Sequence, residues 1–454
     1  MSVSSPAEIS WLRSRLSGTL ALPGEPGYEL ATPWNVAVAM TPAAVVAAAD
    51  SRDVAETVRF ANDNGLRVLP QRTGHGAVPM DLDDVILVHT AKLDELSVDP
   101  VSKRARIGAG VIWQQVLDAA APHGLAPLVG SAPGVGVVGF LTGGGVGPLV
   151  RTYGLASDTV AAFEVVTGDG RLLRSTPTEH ADLFWGLRGG KNTLGIVTAV
   201  ELELLEITTV HGGAIYFNGT DASGVLHAWR EWAATLPEHA NTSIALLQLP
   251  PLPGVPEPLA GRFTVAVRFT GIATSEWCNQ LLAPIRAAAT PLLDTIGTLP
   301  YAAIGAVHAD PVEPMPALET SGLLDELTPE AVDTLLEVAG PDAGSPQVIV
   351  ELRLLGGALA REPEHKSAFC HRDAAFSLLV IGVPMVPGVP EHHATVQAAM
   401  APYLTGNEFP NFGAASGEAR TARVYDEDTR TWLSALAERH DPKGVLRVGQ
   451  AVTR

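Results

Sequence analysis

Apolar positions along this chain recur with two periods, near 3.6 and near 2, and the switches between them mark its elements. After Ser51, a good helix N-cap, Val54, Val58 and Ala61 share one helical face until Gly65 closes the segment. Leu66 to Leu69 is a short extended run ended by Pro70. It delivers the chain into the loop Gln71-Arg72-Thr73-Gly74-His75-Gly76-Ala77, which cannot be a strand interior. An apolar run, Val85 to Val88, and an extended segment from Arg104 to Val111 come next. In the helix that follows, Trp113, Val116, Leu117 and Ala120 share a face. Val160 to Val166, the turn Gly168-Asp169-Gly170 and the returning Leu172-Leu173 predict a hairpin, and Ile196 to Leu204 a strand. From about His211 the pattern becomes β-rich, with strands at Phe263 to Thr270, Val348 to Leu355 and Phe376 to Val383. Amphipathic helices interleave with them, as where Leu226, Trp229 and Ala233 fall at helical spacing within Val225 to Ala233. The proline-rich stretch Leu249 to Pro258 is a surface loop by composition. The fold class is therefore α+β, with a domain boundary near residue 206 and no internal repeat.

Composition narrows the partners. The chain has 454 residues, 46% of them hydrophobic, enough to bury two folded units. Acidic residues number 49 against 30 basic, a formal charge of −19, and no Lys/Arg-rich tract offers a surface for nucleic acid. Cys278 and Cys370 are the two cysteines, which excludes a disulfide framework and a cysteine-rich metal site. The N-terminal stretch lacks the apolar core of a secretory signal, and no run of apolar residues suffices for a membrane span, so a cytoplasmic, soluble protein is expected.

Candidate chemistry centres on glycine. Seven glycines lie between Gly134 and Gly147, and backbone N–H groups in such a run can form an anion-binding concavity. Gly134 to Gly139 formally matches G-x-G-x-x-G, with Asp158 at the spacing of a ribose-binding acid. The residues before it, Ala121 to Pro127, read as a helix end and turn and not as the buried strand a Rossmann site needs. A second cluster, Gly186 to Gly195, has Arg188 and Lys191 beside it and reads as a further phosphate-sized concavity. Neither cluster has the P-loop form, and no G-x-S-x-G elbow argues for a hydrolase.

Taken together, four stretches are similar to the signature segments of the berberine-bridge-enzyme-like flavoproteins of the vanillyl-alcohol-oxidase (PCMH-type FAD-binding) superfamily. They are Gln71 to His75, Ala132 to Gly147, Leu183 to Thr198, and His440-Asp441-Pro442-Lys443-Gly444-Val445-Leu446-Arg447. The resemblance implies a PCMH-type FAD-binding domain of two subdomains over residues 1–206. A substrate domain, an antiparallel sheet covered by helices, would span 207–412, and a segment 413–454 would return to the FAD domain. It implies FAD bonded through its 8α-methyl to His75, with Gln71, Arg72, Thr73, Gly74, Gly76, Ala132, Gly134, Val135, Gly136, Gly139, Gly143, Gly144, Gly145, Gly195, Ile196, Val197 and Asn411 around it. Ala132 stands where bicovalent relatives carry a cysteine, so one covalent link is expected. Val135 resembles the position where valine leaves oxygen a path.

The same resemblance implies an FAD-linked oxidase that abstracts hydride from a small aromatic or alicyclic secondary metabolite, with O2 as electron acceptor. A flavin dehydrogenase or reductase that ignores O2, or a flavin-containing protein that sequesters a metabolite, remain as alternatives. The family's catalytic tyrosine is replaced in Phe409-Pro410-Asn411-Phe412, and phenylalanine moves no proton. The base is thus unassigned, with Glu351 and Arg353 on one strand face as the catalytic candidates or, equally, a cross-strand ion pair. Tyr301, His308 and His371-Arg372 are secondary candidates. His392 and His393 lack metal-site spacing, so no metal is expected. Substrate and oligomeric state stay open.

Overall fold

The computed structural model describes residues 6–191, 193–251, 254–413 and 415–449. Helix 51–64 shows how local chemistry sets an element: Asp50, and not Ser51, is its cap, the Asp50 carboxylate accepting the N–H groups of Arg52 and Asp53 at 2.8 and 3.0 Å. Gly65 closes it in the left-handed region. The helix lies on a four-stranded sheet of β1 (Thr19–Ala21), β2 (Ala44–Ala47), β3 (Arg67–Gln71) and β4 (Val85–His89), in the order β1-β2-β4-β3. Pro70 does not end β3 but lies within it. An edge strand tolerates a missing N–H on its open side.

A second, antiparallel sheet joins β5 (Leu96–Asp99), β6 (Arg104–Gly108), β7 (Val160–Val166), β8 (Leu172–Ser175) and β9 (Ile196–Glu203) in the order β5-β6-β9-β7-β8. The β7–β8 pair is the expected hairpin. The glycine block 134–147 crosses the end of this sheet, and its core contains Trp113, Val116, Leu117 and Phe163.

Between Glu203 and Thr209 the chain changes sheets. The third is antiparallel throughout: β10 (Thr209–Asn218), β11 (Ala240–Gln248), β12 (Phe263–Gly271), β13 (Leu293–Asp294), β14 (Gly297–Pro300), β15 (Leu318–Leu324), β16 (Ile349–Leu354) and β17 (Phe376–Gly382). Its central order is β10-β12-β11-β16-β17-β15. Alternation gives it two unlike faces. Ile244, Val265, Val267, Val350, Leu352 and Val380 pack under helices 222–233, 275–286, 329–339 and 389–400, with Trp229 and Leu335 among the buried contacts. The other face turns toward the first half of the molecule. There Pro148 and Arg151 dock the end of the glycine block onto the sheet: the Pro148 carbonyl accepts from Asn241 and Thr270, and Arg151 donates to the carbonyls of Leu236, Ala240 and Leu355. In the proline-rich stretch the described residues form bends and turns, while Leu252 and Pro253 lie outside the described residues.

Helix 427–440 packs against helix 181–187 in the first half. Beyond it the Asp441 carboxylate accepts N–H groups of Val445 and Leu446, both at 2.8 Å, shaping a turn whose Val445 carbonyl accepts the N–H of Val68 on β3. Val445 and Leu446 thereby complete the core over the four-stranded sheet.

Candidate active site

His75 follows β3 on a turn that Gly74 makes possible: Gly74 has φ +74, and a side chain there would strike Pro33. The imidazole stacks on Trp34 at 4.6 Å between centroids and 17° between planes, and its Nδ1 lies 2.8 Å from the Thr73 hydroxyl. Burial pulls its pKa down to about 4, opposed by the charge of Asp310, so the ring is neutral at pH 7 with Nε2 not engaged by Thr73. Neighbouring loop residues anchor the turn. Gln71 donates to the carbonyls of Leu30 and Ala31, Arg72 to that of Gly110, and the Thr73 carbonyl accepts the Trp34 N–H.

The glycine block meets this loop at Gly136, whose missing Cβ makes room for Arg72 at 3.2 Å, with the Thr73 hydroxyl at 3.8 Å. Its glycines divide into two kinds. Side chains at Gly144 and Gly145 would collide with Phe369, Phe140 and Ala156, and one at Gly143 with Asn411 and Lys191; protein fills that space. Gly134 and Gly139 have no positive φ, and nothing of the protein lies within 4 Å of where their Cβ atoms would be. Neither packing nor backbone conformation accounts for them. The open space there leaves room for the expected FAD.

Lys191 strengthens that fit. It holds a non-glycine residue at φ 62, is buried, and gives its ammonium to the Asn411 carbonyl oxygen, with no carboxylate among its described partners. Burial and the charge of Arg420 bring its pKa down to about 7. A buried cation of this sort suits an adjacent anionic or electron-rich group. Asn411 in turn donates to the Phe140 carbonyl at 2.8 Å, tying the 409–412 loop to the glycine block.

The second glycine cluster is not the concavity its sequence suggests. Gly186 is closed by Leu194, Gly189 by the backbone of Phe369, Gly190 by Gly186 and Leu433, and Gly195 by Val165. Arg188 lies over the Phe184 ring at 4.3 Å and donates to the carbonyls of Phe184, His365 and Lys366, leaving it no role toward a phosphate. Ile196 and Val197 open β9 as buried core residues, and Ala132 and Val135 sit part-buried where the glycine block begins.

Opposite, the sheet brings residues far apart in sequence into one row: Arg268 on β12, Ser243 on β11, Arg353 on β16 and Ser377 on β17 are successive cross-strand partners. Glu351, two residues from Arg353 and on the same face, is buried and fully engaged. It accepts from Ser243 Oγ and Arg268 at 2.7 Å and from Arg353 at 2.8 Å, with His308 Nε2 at 3.6 Å. Burial alone would raise its pKa, but Arg353, Arg268, His308 and the serine hydroxyl together hold it far below the usual carboxylate range. Glu351 is therefore a permanent anion that organises two guanidiniums, and a poor receiver of protons. His308 is pulled down to about 4 by burial and by Arg268, and is neutral. The Arg353 guanidinium also lies 5.5 Å from the Phe412 ring centre, so the face that lost a tyrosine hydroxyl meets a cation.

Other candidates are structural. Tyr301, buried, donates to the Pro127 carbonyl; Arg372 forms an ion pair with Asp158, removing that acid from any ribose role; His371 contacts the Arg423 carbonyl. His392 reaches the Val338 carbonyl and His393 the Thr320 hydroxyl, on different sides of their helix. Arg268 and Ser243 were missed by sequence reading. The available signal was an arginine inside the apolar strand Phe263 to Gly271, where a charge survives only if paired.

Residues 42–176 match the model of an FAD binding domain. The chain is 26% identical over 460 residues to (R)-6-hydroxynicotine oxidase of Paenarthrobacter nicotinovorans, covering 95% of this chain and 96% of that protein. It is 25% identical to the FAD-linked oxidoreductase YgaK of Bacillus subtilis over 97% of this chain and 98% of its relative. Among solved structures, 6-hydroxy-D-nicotine oxidase from Arthrobacter nicotinovorans superposes with a TM-score of 0.82 at 25% identity, covering 96% of this chain and 98% of that one.

Proposed function

We propose that this chain, with its FAD binding domain and its likeness to FAD-linked oxidoreductases along its length, is an oxidase holding FAD by one covalent bond through His75 and acting on a small aromatic or alicyclic molecule. The observation that carries this reading is the pairing of a neutral, Trp34-stacked His75 with Gly134 and Gly139, whose open faces the protein itself leaves unexplained. When bound, FAD would supply the acceptor for one hydride, that is two electrons and a proton, with O2 taking up the two electrons afterwards.

Every other part of the work falls to the chain. Residues 71–76 and Gly134 to Gly139 form the bed, with Thr73 holding Nδ1 of His75 so that Nε2 is the nitrogen left for the bond. Lys191 and Asn411 sit at the far side of the glycine block. Glu351 holds Arg268 and Arg353 in place beside Gly147 and Pro148, and Phe412 covers Arg353. Residues 1–206 and 413–454 act as the cofactor-holding part and 207–412 as the substrate-holding part.

Intact mass under denaturing conditions tests the covalent claim: the chain should carry one FAD, and a mass equal to the bare polypeptide in flavin-loaded protein would refute it. Anaerobic reduction followed by air tests the oxidase claim. Rapid return of the oxidised flavin spectrum is expected, and a sluggish return would favour a dehydrogenase.

A further inference from the structure

Arg268, His308, Arg353 and Ser243 border a half-open recess of about 30 Å³ that extends to Gly147 and Pro148 of the glycine block. One water needs roughly 10–15 Å³ by this measure, so the space takes about two oxygen-sized atoms. Its polar lining is one-sided. Both carboxylate oxygens of Glu351 are already engaged, by Ser243, Arg268 and Arg353. Arg268 Nε and His308 Nδ1 are buried and have no partner among the described residues. Arg268 retains 4% of its surface and the His308 side chain 8%.

We propose that this space is a subsite for a planar oxyanion, and that the substrate class of the enzyme is an organic carboxylic acid. The inference rests on the reading of the chain as an FAD-linked oxidase and narrows what that oxidase accepts. An ammonium group would meet two guanidiniums, with both oxygens of Glu351 already engaged. An apolar group would leave Arg268 Nε and His308 Nδ1 unsatisfied, each a buried polar atom that costs stability when unpaired. A carboxylate supplies an acceptor to Arg268 Nε, with charge assistance from Arg268 and Arg353. The remaining body of the acid extends toward Pro148 and the glycine block.

The test uses the flavin-loaded full chain and three probes of one shape: benzoate, benzamide and benzylammonium. Binding is read by calorimetry and by the shift in the flavin visible spectrum. Benzoate should bind, with benzamide and benzylammonium weaker by on the order of tenfold or more. In Arg268→Gln the preference for benzoate should shrink by about the same factor, and Arg268→Lys should recover part of it. Equal or better binding of benzamide or benzylammonium by the unmodified protein overturns the proposal, and that comparison stands even if Arg268→Gln fails to fold. Colourless protein that still prefers benzoate in the calorimeter would refute the flavin reading and leave the subsite intact. Yellow, reducible protein without that preference would do the reverse.

Discussion

On the proposed cofactor bed, residues 71–76 and 134–139, what the chain offers is bare backbone and one uncharged imidazole. On the face formed by β11, β12 and β16 it offers two guanidiniums, Arg268 buried and Arg353 part-buried, locked around a carboxylate. The first wall is shaped by what side chains are missing, the second by what side chains are paired. A substitution should therefore act differently on each, through occupancy on one and through desolvated charge on the other.

The largest contrast should come from His75→Ala. Flavin that stays with the unmodified chain after acid precipitation should be released completely from the variant, while the thermal stability of the apoprotein changes little. Retention in the variant would place the bond elsewhere. On the opposite wall Glu351→Gln leaves two guanidiniums without their counter-charge, a loss of about 3–5 kcal/mol. A fall in the urea midpoint without loss of covalent flavin is the expected result.

Acid sharpens the same contrast. His75, His89, His308 and His393 are each pulled from 6.5 to about 4 by burial, so between those values the unfolded chain binds protons the folded one refuses. Stability should decline as pH falls from 6.5 toward 4. Glu351 works in the other range. Its folded pKa is depressed, so its contribution is whole above 4.5 and is lost only as pH drops below that, toward its folded value. Urea midpoints in the unmodified protein and Glu351→Gln should therefore run parallel above 4.5 and converge below it.

Within the glycine wall, Gly144→Val should cost about 1–3 kcal/mol, since Phe369 occupies the space and φ is +92. Gly134→Val should leave the apoprotein's melting temperature unchanged and reduce flavin content. Equal effects of the two would erase the distinction between crowded and open glycines. The smallest change is Asp50→Ala, about 1 kcal/mol from a lost cap, with the flavin spectrum untouched.

How much of this was legible in the sequence follows from the same division. A close backbone approach forces glycine, so Gly134, Gly136 and Gly139 announce themselves in a linear string, as does the loop ending in His75. The row Arg268, Ser243, Arg353 exists only through strand order β12-β11-β16, which periodicity cannot supply, and Glu351 and Arg353 could be named without their partners. The cluster at Gly186 to Gly195 misled for a related reason. A glycine required by a neighbouring side chain looks the same in sequence as one required by a ligand, and only the positions of Leu194, Phe369 and Val165 tell them apart.

The hydrogen bond from Val68 to the Val445 carbonyl has a consequence for biosynthesis. A ribosome releases β3 and the His75 loop long before residues 441–446 emerge, so the edge of the first sheet waits uncovered through most of translation. If FAD is bonded at position 75 as proposed, a chain arrested ahead of Asp441, with the edge of β3 uncovered, is expected to carry less of it than the full chain.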